Sequence, residues 1–247
     1  MYIEDSTGKR LLVKTKDKGL TRMNAIISAL DAMCWAVKFD HDRAVELLKC
    51  IDPNEVYDYV PPHDGIPYRT TLLYRAVSNQ NVDMMKLLLE NGADPNFVDP
   101  EKEANTVMWD LMCPGLSESE SKVRLAMTQI MLEHGASPVL VDDPERNDLL
   151  SHIFFQIWAD SYDDNWDYLC KFFILLVAYN GESKYCKPII KKTFNKKKME
   201  QYHLEPQENK ESYHIVNNRG TVIATIENLL FENGFFEDDE FENDGGF

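Results

Sequence analysis

Thr71-Leu72-Leu73-Tyr74-Arg75-Ala76-Val77, then Asn81-Val82-Asp83-Met84-Met85, then Leu87-Leu88-Leu89-Glu90-Asn91-Gly92-Ala93-Asp94-Pro95-Asn96, is the stretch whose reading decides the fold. Apolar residues recur in it at helical spacing, twice, and the second run stops abruptly at a glycine. Glycine at that place takes the left-handed conformation that ends a helix without steric cost. The same ending recurs as Ile130-Met131-Leu132-Glu133-His134-Gly135, Leu176-Val177-Ala178-Tyr179-Asn180-Gly181 and Leu229-Leu230-Phe231-Glu232-Asn233-Gly234. Ala93-Asp94-Pro95-Asn96 follows one copy and Ala136-Ser137-Pro138 the next. An earlier copy keeps Val45-Glu46-Leu47-Leu48 and Asp52-Pro53-Asn54 without the glycine.

These residues resemble the ankyrin repeat family, whose unit is a Thr-Pro-Leu-His-x-Ala turn and first helix, a second helix ending in Leu-Leu, and a Gly-Ala-Asp loop. The best copy runs from Gly65 to Asp99, with Thr71, Leu73 and Ala76 held and the family's Pro and His replaced. The preceding unit fits in register, because Ala36-Val37 and Leu47-Leu48 lie 40 residues upstream of Ala76-Val77 and Leu87-Leu88. Downstream, Thr106 to Leu111 reads as a first helix, followed by the loop Cys113 to Ser121 before a delayed second helix. A fourth unit pairs Asp148 to Ile153 with a helix from Trp166 to Tyr179. Successive glycines stand 43, 46 and 53 residues apart, longer than the family's unit. The resemblance implies an all-α, ankyrin-type solenoid of stacked helical hairpins, about four divergent units, with an N-terminal arm and an irregular C-terminal cap.

The expected organisation is an arm or short hairpin over residues 1–20, repeats over 21–183, a helical cap over 184–234 and an acidic tail over 235–247. Within the cap, Tyr213 to Ile226 has two readings. One is a hairpin turning at Asn218 to Gly220. The other, favoured because Ile223, Ile226, Leu229 and Leu230 recur at helical spacing, is a final helix capped by Thr221.

Length and composition bound the function. A chain of 247 residues with 44% hydrophobic side chains buries enough surface to fold without disulfide or metal staples. Twenty-six basic against 42 acidic residues, a net of −16, disfavour nucleic acid and anionic membrane as partners. The five scattered cysteines suit reduced thiols, and Met1-Tyr2-Ile3-Glu4-Asp5 has no basic start before an apolar run. The longest apolar run, Phe172 to Tyr179, is eight residues. A cytoplasmic, monomeric protein without membrane attachment is expected. No Gly-rich phosphate loop, nucleophile elbow or metal-ligand spacing occurs, so no catalytic residue, metal or cofactor is expected.

In the family, partners are held by the turn tips and the exposed side of the first helices. Carried over in register, the resemblance points to Lys38, Phe39, Pro67, Tyr68, Thr70, Ser78, Asn79, Lys102, Glu103 and Asn105 as partner-binding positions. Phe39 and Tyr68 are the preferred anchors; the competing reading is that they fill gaps in irregular loops. Two further motifs stand apart from the repeats. Seven lysines fall between Lys184 and Lys198, either a patch for an acidic partner or a solvated helix face or loop. The stretch Phe235 to Asp244 alternates phenylalanine with carboxylates. The function expected is a non-catalytic protein-binding module, and the alternative is an acidic mimic of nucleic acid that inhibits a basic nucleic-acid-handling protein.

Overall fold

The computed structural model describes residues 2–4, 10–12, 22–60, 67–98, 106–113, 117–139, 148–159, 166–208 and 211–228. The chain divides into two compact units, Met1–Ala136 and Ser137–Phe247.

The first unit begins with the antiparallel strands β1 (Tyr2–Glu4) and β2 (Arg10–Leu12). Helices α1 (Arg22–Trp35) and α2 (His41–Leu48) lead to a hairpin of β3 (Tyr57–Tyr59) and β4 (Tyr68–Thr70). Next along the chain come α3 (Leu72–Ser78), α4 (Val82–Glu90), α5 (Val107–Met112) and α6 (Glu118–Glu133). The helix starts are fixed by local chemistry. The Thr71 hydroxyl accepts from the Tyr74 amide at 3.2 Å, and the Asn81 side chain accepts from the Met84 amide at 3.0 Å. α3 packs on α1 on one side and α5 on the other, while α4 packs on α6. Leu87 and Leu88 are 2% and 0% exposed, as the stacking requires.

Two side-chain devices tie successive pairs together. The Asn81 amide nitrogen donates to the carbonyls of Met33, Cys34 and Ala36, satisfying the end of α1 from the next pair's interhelical turn. The Asp-Pro-Asn loops work as a relay. Asp52 and Asp94 each accept from the amide two residues on, at 2.9 and 2.8 Å, and this turn aims the asparagine. Asn54 then donates to the Gly92 carbonyl at 3.3 Å and accepts from the Asp94 amide at 2.7 Å, and Asn96 donates to the Gly135 carbonyl at 2.9 Å. Gly92 and Gly135 hold φ of +93° and +91°, as the sequence pattern requires. Gly181 differs: Asn180 takes the positive φ, and a Cβ on Gly181 would lie 2.7 Å from the Leu176 carbonyl oxygen.

Two details of the first unit depart from expectation. α1 ends at Trp35, and Val37 is 99% exposed, so Ala36-Val37 does not occupy the buried place of Ala76-Val77. The apolar face of α1 is carried instead by Ala25, Ile26, Leu30 and Cys34. Further on, Glu118 to Ser121 is helix and not loop, because Ser117 and Glu120 form a reciprocal capping box that starts α6 early.

The second unit corrects the fold class: the protein is mixed α and β, not all-α. Helices α7 (Leu149–Ala159) and α8 (Trp166–Ala178) pack as a pair, and they lead into an antiparallel four-stranded sheet instead of a helical cap. Its strands are β5 (Cys186–Lys191), β6 (Tyr202–Pro206), β7 (Ser212–Asn217) and β8 (Val222–Asn228), ordered β5-β8-β7-β6. The hairpin reading of 213–226 therefore holds and the helix reading fails. Val216, Val222, Ile223, Thr225 and Ile226 are β-branched, and the Asn217 side chain accepts from the Arg219 and Thr221 amides to close the turn. Tyr213 and Ile215 alternate inward, and Phe154 of α7 meets Tyr213 edge-on at 4.9 Å and Phe173 of α8 at 5.4 Å. Asp148 anchors this unit's start. It accepts from the Ser151 amide at 2.9 Å, capping α7, and from the Ser183 hydroxyl at 2.7 Å, which fixes the loop into β5. Lysines 184–198 lie on β5 and the loops around it, not on a helix face. The acidic stretch 235–247 lies outside the described residues.

Candidate functional site

The β3–β4 hairpin projects immediately before the Thr71 cap, and its shape is held from below by one buried cation. Arg75, on the second turn of α3, is 3% exposed. Its Nε meets Asp31 Oδ1 of α1 at 2.9 Å, and its Nη1 donates to the Tyr68 hydroxyl at 2.9 Å. The guanidinium lies 3.6 Å from the Tyr59 ring centroid and 4.8 Å from that of Trp35. Tyr57 donates its hydroxyl to the same Asp31 oxygen at 2.7 Å. Burial, and then the charge of Asp31, push the Tyr57 phenol far above its ordinary range, so it stays a donor. For Arg75 burial opposes the charge, but the Asp31 bond and carboxylate outweigh it and the guanidinium stays ionised. Both strands of the hairpin and both first helices thus converge on a single ion pair.

Concavities open on both sides of the hairpin. One, of about 430 Å³, is bordered by Tyr68, Thr70, Tyr74, Phe97, Trp109 and Asp110. The other, of about 650 Å³, is bordered by Ile27, Asp31, Glu55, Tyr57, Asp58 and Tyr59. Val56 and Arg69 line both. In the first, burial raises the Asp110 carboxyl above the usual range, against the opposing pull of Arg124. Among the described residues, no group of His, Cys, Asp or Glu is arranged to hold a metal ion, and no helix is long and apolar enough to cross a membrane.

The family model for the ankyrin repeat matches residues 68–100. This segment is an ankyrin repeat. No curated protein and no solved structure matches the chain. Ankyrin repeats are in general protein–protein interaction modules and typically carry no catalysis. In this repeat the matched residues begin at β4 and run through α3, α4 and the Asp94 loop, so the hairpin strand and the Arg75 anchor are part of it.

The positions expected from the sequence scatter over this surface. Tyr68 and Thr70 border the 430 Å³ cavity, with Tyr68 half-buried and Thr70 buried. Pro67 is exposed on the hairpin beside them. Ser78 and Asn79 are half-buried at the end of α3, where Asn79 donates to the Arg75 carbonyl at 2.7 Å. Lys38 and Phe39 lie in the α1–α2 connection; Phe39 stacks on His41 at 6.4 Å and borders neither concavity. Lys102, Glu103 and Asn105 lie outside the described residues. Sequence reasoning passed over Asp31, Trp35, Tyr57, Tyr59, Tyr74, Trp109, Asp110 and Arg75 itself. One signal was available: Arg75 is a charge between Leu73 and Ala76 on the face that stacking must bury.

Proposed function

We propose that the chain is a protein-binding module in which the β3–β4 hairpin and the α3 and α5 side of the stacked pairs grip a partner polypeptide. The observation that carries this reading is the hairpin locked by Arg75 with a concavity on each side. Its strands are held by the ion pair of buried Arg75 with half-buried Asp31 and by the Tyr59 ring lying against the guanidinium, so a partner meets surfaces that are already ordered and loses less binding energy to ordering them. Aromatic side chains at such a rim, here Tyr59, Tyr68 and Tyr74, concentrate binding energy. The relay from Asn54 to Gly92 and from Asn96 to Gly135 supports reading the flanking helix pairs as further units of the same array. Five free thiols are consistent with a reducing compartment.

Site-specific photo-crosslinking tests the reading. The photo-reactive residue p-benzoylphenylalanine at position 67, on the hairpin, is expected to capture discrete polypeptides in cell extract. At position 86, on the exposed side of α4, it is expected to capture none of them. Equal labelling from both positions would overturn the proposal.

A further inference from the structure

Two successive helix junctions of the first unit are built from the same kinds of group. At the α1–α3 junction a carboxylate, Asp31, accepts a tyrosine hydroxyl from Tyr57 at 2.7 Å, and the rings of Tyr59 and Trp35 face a guanidinium from Arg75 that completes the ion pair. At the α3–α5 junction a carboxylate, Asp110, accepts a tyrosine hydroxyl from Tyr74 at 3.5 Å, and Tyr68, Phe97 and Trp109 supply the rings. Here the carboxylate borders a cavity of about 430 Å³. A guanidinium of the chain, Arg124 of α6, stays 3.9 Å from Asp110 Oδ2 and gives its short hydrogen bond, 2.8 Å, to the Asp110 main-chain carbonyl. Asp110 Oδ2 is buried without a hydrogen-bond partner. Arg69 also borders the cavity, but in the strand register it stands opposite Asp58.

We propose that the cavity between α3 and α5 receives an arginine side chain of the bound partner, with Asp110 as its carboxylate and the rings of Tyr68, Tyr74 and Trp109 as its walls. The inference deepens the protein-binding reading and rests on it. The choice of guanidinium over ammonium follows from its shape. A planar, delocalised cation stacks on rings while donating to a carboxylate in its own plane, as Arg75 does one junction earlier, whereas a compact ammonium is more strongly hydrated and leaves the rings unused. The volume lies in the range of roughly 300–1,000 Å³ typical of small-ligand sites. The negative charge of the chain adds long-range attraction for a cationic segment.

The test uses N-acetyl-arginine-methylamide, its neutral citrulline isostere and the lysine equivalent, titrated into the full chain while the Trp109 indole N–H is followed by NMR. The arginine compound is expected to shift that signal saturably, about tenfold more tightly than citrulline or lysine. Asp110→Asn is expected to erase that preference, and Glu90→Gln, exposed on α4 and bordering neither cavity, to leave it intact. Equal response to the citrulline compound, equal response to lysine, or an arginine preference that survives Asp110→Asn would each overturn the inference. The citrulline comparison in the unaltered chain decides the matter even where Asp110→Asn fails to fold. If crosslinking from position 67 persists while arginine shows no preference, this inference falls and the protein-binding reading stands.

Discussion

The α3–α4 pair and the α7–α8 pair are both short helical hairpins with an apolar side to hide, and they hide it by different means. α3 and α4 are covered by more helices: α1 and α5 flank α3, and α6 covers α4. α7 and α8 are covered in their own unit by a sheet, with Tyr213 of β7 driven against Phe154. The sequences already differ in how much they must bury. From Tyr168 to Ala178 every residue of α8 except Lys171 is buried, whereas α4 leaves Asp83, Lys86 and Glu90 exposed. A helix that is apolar nearly all round needs cover on several sides. A helix with a polar face tolerates an open surface.

The comparison is broken most severely at the sheet's anchor. Phe154→Ala is expected to cost about 4 kcal/mol in the second unit, read as loss of amide protection in β6, β7 and β8. Retained protection there would mean that the sheet holds without its aromatic wedge. Next is Arg75→Ala, which leaves the half-buried Asp31 carboxylate without its cation and removes the support of the hairpin. A loss of about 3 kcal/mol is expected, with recovery of much of it when Asp31→Leu is added, measured by chemical denaturation. Had the ion pair been a surface contact, the single change would cost under about 1 kcal/mol.

Asn96→Ala probes the relay between loops and is expected to cost about 1 kcal/mol by leaving the Gly135 carbonyl without its donor. The smallest effect sharpens the difference between the units through pH. Burial holds the His152 imidazole of α7 below its ordinary range. The folded state therefore binds fewer protons than the unfolded one once the pH falls below the unfolded value of about 6.5. Stability is full above that value and declines as the pH drops toward the folded value. His152→Gln should flatten the decline in a series of melts from pH 7.5 to 5; an unchanged slope would assign it to other groups.

How much of this was legible varied with how local the cause is. Thr71, Asn81, Gly92, Asp94 and Asn96 act on backbone groups within a few residues or on the matching loop of the next unit, so their pattern survives in the chain as a motif. Val37 and Cys34 show the limit. Spacing placed Ala36-Val37 in the core by counting from Leu47-Leu48, but α1 is longer than α3 and its buried face falls earlier. The candidate site was harder to see, because Asp31 and Arg75 meet from 44 positions apart and Tyr74 and Asp110 from 36. Tyr68 could be named from the chain because it adjoins the motif. Tyr57, Tyr59 and Trp35 belong to no motif and become a set only around the guanidinium.

Residues 213–228 mark the boundary between the two kinds of information. The sequence by itself determined that a helical hairpin ends at Gly92, that a like one ends at Gly135, and that Thr71 to Asn96 reads as one repeat unit, because capping and periodicity are contests settled within a turn or two of chain. Tertiary structure alone decided that Ile223 and Ile226 belong to a strand. Three residues apart, they would share one face of a helix but lie on opposite faces of a strand; both are buried, and the choice goes to whichever neighbour covers them, here β5 and β7 on either side of β8. It likewise decided that one junction closes on Arg75 while the next leaves Asp110 facing a cavity, since a charge is paired by what folding brings beside it.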